Sequence, residues 1–218
     1  MMDNIMAIIG ICGGLLCAVA DCLLDLKGAD NKKLGKSGYI DSKWEEMSHW
    51  RFVASDIIAM FAVPMYTCGF LALSNQFAGE HTKLAIAARV IFLCGAMGGF
   101  MIHTFVCLMP TIYKDITEKA TFSLAEQVIS DIFKQIYVPF ILLYCLLVIV
   151  PSGVIVYAIA TGILPLPLWC VLLNPVVFQL LGLLLRATKL KCFIDAPSIC
   201  AASLGLTMYG VMALMLLH

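Results

Sequence analysis

The sequence predicts an all-α polytopic membrane protein: a bundle of six transmembrane helices with an amphipathic helix at the cytoplasmic interface. Three observations predict it. Of 218 residues, 62% are hydrophobic and only 13% charged, against about 45–50% and about 25% in soluble domains. Mean hydropathy is +0.98, and a domain this small has too much surface to hide such an excess in one core. The basic residues also fall almost entirely between alternate pairs of apolar stretches.

A spanning helix needs about 20 predominantly apolar residues. Six stretches qualify: Asn4–Asp25, Phe52–Asn75, Leu84–Tyr113, Val138–Ala160, Leu168–Leu185 and Pro197–Leu217. They leave no soluble domain over, so residues 1–218 read as one six-span membrane domain. Ala18-Val19-Ala20 has the form of a signal cleavage site, but no Lys or Arg precedes it. Because a signal peptide begins with a basic segment, the first stretch is expected to stay as a span.

Orientation follows from the connections. Lys27, Lys32, Lys33, Lys36, Lys43 and Arg51 lie between the first two spans. Lys114, Lys119 and Lys134 lie between the third and fourth, and Arg186, Lys189 and Lys191 between the last two. Positive residues stay inside, so these connections are expected in the cytoplasm and both termini on the outer side of the cell membrane. Ser123-Leu124-Ala125-Glu126 has the capping-box pattern, followed by an apolar stripe at Leu124, Val128, Ile129, Ile132 and Ile136; an amphipathic helix on the membrane surface fits it. Ser42-Lys43-Trp44-Glu45 is a second such box, leading into span two. Ten cysteines sit mostly in apolar runs without a CxxC pair, and read as small hydrophobes.

Ionisable groups inside a bilayer are costly, by about 2.5–3.5 kcal/mol or more, and so mark candidate sites. Asp21, Asp25, Asp56 and His103 all fall in the cytoplasmic half of their spans, as does Gln179, while Arg89 alone lies near the outer side. Asn174, Tyr144 and the boundary residue Asp195 are weaker candidates. Gly10-x-x-x-Gly14 and Gly95-x-x-x-Gly99 mark small-residue faces on spans one and three. Asp21 and His103 continue those faces, so if the faces meet, Asp21 and His103 come within hydrogen-bond reach. His103 is then the expected acid/base group and Asp21 its orienting partner. Asp56, Asn174 and Gln179 are expected to bind substrate. Asp25, one turn from Asp21, is a candidate ligand for a divalent metal, since hard cations take carboxylate oxygens.

Asp21-x-x-x-Asp25 resembles the final fragment of the motif of membrane CDP-alcohol phosphotransferases, but the preceding Asp pair and Gly-Ala-Arg stretch are absent. Ceramidase-like zinc hydrolases carry His-x-x-x-His; here His49, His81, His103 and His218 have no such spacing. Glu46-x-x-His49 has one half of a di-iron pattern that needs two. No phosphate loop or nucleophile elbow occurs. Net charge is +0, which gives no reason to expect a nucleic-acid partner. The expected partners are membrane lipids. The favoured function is an enzyme acting on a lipid or amphiphile from the cytosolic side. The alternatives are a proton-coupled transporter or exchanger, for which Pro64, Pro139, Pro151 and Pro175 would break helices and a homodimer would enlarge the bundle, and a non-catalytic sensor or assembly factor.

Overall fold

Small side chains face inward and large apolar ones outward along the first helix, α1 (Met2–Asp25). Ala7, Gly10, Gly13, Gly14, Ala18 and Ala20 are buried, while Ile5, Ile8, Leu15 and Val19 are exposed. That reverses the pattern of a soluble protein. It fits a helix whose outer face meets lipid and whose small residues let neighbouring backbones approach. The computed structural model describes residues 1–217, without the side chains of Ile199 and Ala201; His218 lies outside the described residues.

After α1 a two-stranded hairpin forms, β1 (Lys33–Leu34) antiparallel to β2 (Ile40–Asp41), with a 3-10 turn at Ser42–Glu45. Then come α2 (His49–Ala78), α3 (Thr82–Lys119), α4 (Phe122–Tyr144), a π-turn (Cys145–Ile149) and α5 (Val150–Ala160). The chain ends with α6 (Pro175–Ala187), α7 (Ala196–Ile199) and α8 (Ala201–Leu217). Among the described residues, four helices are long and apolar enough to cross a membrane: α1, α2, α3 and the continuous run from α4 through α5. A fifth is obtained if α8 and the segment before it, bent by 68°, count as one.

The stretch expected to be span five comes in two pieces. Leu168–Leu172 is a 3-10 turn, and α6 has 13 residues, about 20 Å of helix. Three prolines (Pro165, Pro167, Pro175) and Gly162 at φ +76° keep the preceding segment from coiling. Its backbone at Leu164 and Cys170 is nonetheless buried in protein, the condition under which irregular chain is tolerated at membrane depth. Asn174 starts α6, its Oδ1 accepting from Val176 N at 3.0 Å and Val177 N at 3.2 Å.

Close approaches fix how the helices run. A Cβ on Gly10 would lie 2.3 Å from Gly69 Cα, one on Gly14 2.1 Å from Thr207 Oγ1, and one on Gly95 2.6 Å from Leu147 N. Thus α1 packs antiparallel to both α2 and α8, and α3 antiparallel to the π-turned helix. Pro175 meets Gly205 and Gln179 meets Pro197, so α6 and α8 are antiparallel too. The expected meeting of the span-one and span-three glycine faces does not occur: α1 gives its glycines to α2 and α8, α3 gives Gly95 to the π-turn. Consecutive long helices alternate in direction, and the Lys- and Arg-rich connections collect at one end of the bundle, the basic end.

Two capping expectations are corrected. Thr121, not Ser123, caps α4, accepting from Leu124 N at 3.3 Å. Ser42 lies in the 3-10 turn and its Oγ accepts from Lys32 N instead. The amphipathic stretch is the first part of a continuous helix that runs through Pro139 into the span, and Ala125, Ile129 and Ile136 are buried with Trp44, Met109 and Tyr113. Of the stripe, Ile129 and Ile136 are buried against protein, Val128 and Ile132 are half-buried, and Leu124 is exposed.

Candidate functional site

Apolar helices bring few ionisable groups into the bundle, and Asp21, Asp25, Asp56 and His103 all lie toward the basic end. Asp21 is in the last turns of α1. Ser203 on α8 donates to its Oδ2 at 2.5 Å, and His103 Nδ1 on α3 lies 3.8 Å from its Oδ1. The pair is adjacent but not directly hydrogen-bonded, which needs about 3 Å; the expected hydrogen bond is therefore not made. Although α1 and α3 do not share a glycine face, α2 presents only Ser55 and Ala59 between them, small enough for the imidazole to reach across.

The surroundings of the other ring nitrogen assign the tautomer of the ring. Ser55 Oγ donates to Ala20 O at 2.7 Å and lies 3.0 Å from His103 Nε2. With its one proton given to Ala20, Ser55 accepts from Nε2–H. Nδ1, 3.8 Å from Asp21 Oδ1, is then the ring nitrogen with a free lone pair. Asp21, His103 and Ser55 resemble a hydrolase triad in type, but Ser55 is fully buried and its proton is already engaged. It is not placed to attack a ligand.

Beside this pair lies a cavity of about 640 Å³. Asp21, Asp25, His103, Ser203 and Gln179 contribute polar groups to its wall. Deeper in, the lining turns apolar at Ala59, Val63, Leu147, Val148 and Leu206, and the backbone of Tyr66 lies at the inner end. Gly13 packs on Tyr66 N, so from Asp25 to that level the cavity is roughly 18 Å deep by the rise of α1. Above it, Phe70 stacks on Phe92 at 4.1 Å and Tyr209 packs edge-on to both. Those rings fill the bundle toward the other end.

One wall is α4, through Phe133, Phe140, Leu143 and Tyr144; the facing wall is Gln179 on α6 with Pro197 and Ser198 on α7. The α4–α5 helix meets α6 at the π-turn, and toward the basic end α4 leans on α3 while α6 leans on α8. Pro151, which cannot donate to the helix ladder, lies two residues after the π-turn, as expected where a helix is locally unwound.

Residues 26–48 cross the basic end as a strap. Asp41 is buried and held by Lys27 Nζ and Lys33 Nζ, each at 2.9 Å, and by Asn31 Nδ2 at 2.7 Å. Lys27 also pairs with Asp25 at 2.5 Å. Burial works to raise the Asp41 pKa, but Lys27, Asn31 and Lys33 outweigh it and hold the carboxyl below its ordinary value. Burial works to lower that of Lys27, and Asp25 and Asp41 outweigh it and hold it above. Asp195 Oδ2 accepts from Lys27 N and Gly28 N, Glu126 on α4 accepts from Lys36 N and Ser37 N, and Tyr39 stacks on Phe133 at 4.3 Å.

Of the residues expected to form the site, Asp21, Asp25, His103 and Gln179 come together. Asp56 does not: it accepts from Thr104 Oγ1 at 2.7 Å and lines a separate small pocket with His49 and Thr111. Its place on α2 turns it away from the cavity face that Ala59 and Val63 define. Asn174 does not either, because capping α6 uses its side chain. Asp25 faces an ammonium where a metal would have to bind, and no group of three His, Cys, Asp or Glu occurs among the described residues. Gln179 donates to Pro197 O at 3.2 Å. Sequence reasoning missed Lys27, Asp41, Tyr39, Ser203 and Tyr66. The Gly/Asp/Asn-rich run after Lys27 signals a turn but not where it folds. Ser203 and Tyr66 look like ordinary members of apolar spans.

No curated protein and no solved structure matches this chain. The model of one family, described as a family of unknown function (DUF6796), matches residues 1–218, and the chain belongs to that family.

Proposed function

We propose that this protein is a multi-pass enzyme of the cell membrane that takes an amphiphile into the cavity from the cytoplasmic leaflet and acts on its polar end by proton transfer. The alternating helix directions support six crossings, with α6 and the segment before it making the fifth. The clustering of basic residues at one end supports placing that end in the cytoplasm and both termini outside. The carrying observation is the cavity itself: about 640 Å³, polar at Asp21 and His103, apolar beyond them, and walled on one side by α4. Such a volume falls within the range of about 300–1,000 Å³ of small-molecule sites, and its polarity gradient is that of an amphiphile.

In this reading His103 Nδ1 accepts a proton from a hydroxyl or amine of the ligand, Asp21 stabilises the imidazolium, and Ser203 holds Asp21. The aromatic cluster of Phe70, Phe92 and Tyr209 favours an enzyme over an exchanger, because it fills the route to the far side.

The test is purified protein in nanodiscs made from a membrane-lipid extract, with lipid composition followed by mass spectrometry. Wild type is expected to convert one lipid class, and His103→Ala to slow that conversion on the order of 100-fold or more, as for a lost general base. Asp21→Asn should slow it as well. Equal conversion by wild type and both variants removes the site from the chemistry. Lipid binding without conversion by wild type points to a carrier.

A further inference from the structure

Part-way down the cavity, at the level of Gly99, stands a phenol with no hydrogen-bond partner among the described residues. Tyr66 is 2% exposed and lines the cavity, and its ring packs edge-on against Phe92 at 6.1 Å. Its hydroxyl makes no hydrogen bond to any described residue, and it is not sealed off from the cavity. A tyrosine hydroxyl inside a bundle ordinarily finds a partner, and this one faces the cavity. The direction of the side chain is fixed: a Cβ built on Gly99 would lie 3.7 Å from the hydroxyl. Gly99 is one turn before His103 on α3, about 6 Å along the axis. The phenol oxygen thus stands about one turn deeper than the imidazole, beside Leu147 and Leu143, whose side chains a Cβ on Gly99 would meet at 3.3 and 3.7 Å, and Cys17, one turn from Asp21 on α1, lines the same space.

The polar groups around that space are complementary in kind. Ser203 has given its proton to Asp21, and Ser55 has given its own to Ala20. Asp21 Oδ1 and His103 Nδ1 are left as acceptors, and the Tyr66 O–H is the donor without a partner. A ligand that satisfies all three offers a donor at the His103 level and an acceptor oxygen one helical turn deeper.

Resting on the amphiphile reading above, we propose that Tyr66 donates a hydrogen bond to a carbonyl oxygen of the ligand, while the ligand's hydroxyl or amine lies against Asp21 and His103. The substrate class is an acyl lipid whose carbonyl sits just inside a hydroxyl- or amine-bearing head, with its chain running along the apolar lining. Tyr66 selects for the carbonyl; it positions the ligand and does not itself exchange a proton with it.

Tyr66→Phe keeps the ring against Phe92 and removes only the hydroxyl. Wild type, Tyr66→Phe and Asp21→Asn are each titrated with monooleoylglycerol and with its alkyl-ether counterpart, which lacks the carbonyl, and binding is read by native mass spectrometry. Wild type is expected to bind the ester about 3- to 10-fold more tightly than the ether, the range that one hydrogen bond gives. Tyr66→Phe is expected to bind the two alike and to be as heat-stable as wild type without ligand. If Asp21→Asn weakens binding but Tyr66→Phe keeps the ester preference, the hydroxyl serves only a water and the Tyr66 assignment is overturned while the site stands. If wild type binds neither probe, or all three proteins bind alike, the amphiphile reading falls and this inference with it.

Discussion

Replacing Gly10 by alanine adds one methyl group where three helices come closest. Gly10 on α1 abuts Gly69 on α2, which in turn abuts Gly210 on α8. The new Cβ would lie 2.3 Å from Gly69 Cα and 2.4 Å from Gly69 N. Carbon atoms in contact sit about 3.5–4.0 Å apart, so α1 must retreat by more than about 1 Å. Backbone is what it meets, and no rotamer change relieves it. Overpacking of this kind costs about 1–3 kcal/mol, opposed by about 0.8–1.0 kcal/mol of improved helix propensity. Gly153 on α5 supplies the control, because a Cβ there meets nothing within 4 Å. Gly153→Ala gains the propensity alone, so the difference between the two variants isolates the steric cost. Thermal unfolding in detergent should place Gly10→Ala several degrees below Gly153→Ala, at about 2–4 °C per kcal/mol for a chain of this size. Equal melting temperatures would refute the three-glycine crossing.

Three further outcomes are expected. Asn174→Ala removes the cap of α6 and should cost about 1 kcal/mol, read as a lower melting temperature; an unchanged value would mean that α6 does not start at Asn174. The strap should hold across neutral pH. Asp41, depressed in the folded state, contributes stability above its unfolded pKa of about 3.9 and loses it as pH falls through the lower folded value. Lys27, raised in the folded state, contributes below about 10.4 and loses it as pH rises through the higher folded value. Trp44 fluorescence, in a background with Trp50 and Trp169 replaced by phenylalanine, should therefore stay flat from about pH 5 to 9, and a midpoint inside that window would contradict the Lys27–Asp41 assignment. Finally, reporters fused to either terminus should be active only outside the cytoplasm, as the basic residues require; cytoplasmic activity of either would invert the placement of the basic end.

The helices were legible because apolar length is a strong signal, and the pairing of Asp21 with His103 because intramembrane charge is rare. The route to that pairing was not legible. The sequence shows Gly10, Gly14, Gly95 and Gly99 but not their partners; Gly69, Thr207 and the π-turn backbone take those places, and no local pattern announces them. Asp56 misleads because its depth matches Asp21 while its direction depends on how α2 is rotated. Asn174 reads as an intramembrane polar group, but its side chain serves the backbone of α6. The stretch Leu168–Leu185 has the composition of a span, and Pro175 with Asn174 divides it. The strap was the least visible part, since its anchors Asp195 and Glu126 lie far along the chain from Lys27 and Lys36.

The central claim is that the cavity beside Asp21 and His103 holds an amphiphile. It is tested most directly by determining the structure in nanodiscs formed from a membrane-lipid extract. Elongated density is expected between α4 and α6, with its polar end within hydrogen-bond distance of His103 Nδ1 or Asp21 Oδ1 and its tail toward Leu147 and Leu206. A bundle in which α4 closes against α6 and lipid chains lie only on the outer surface would contradict it.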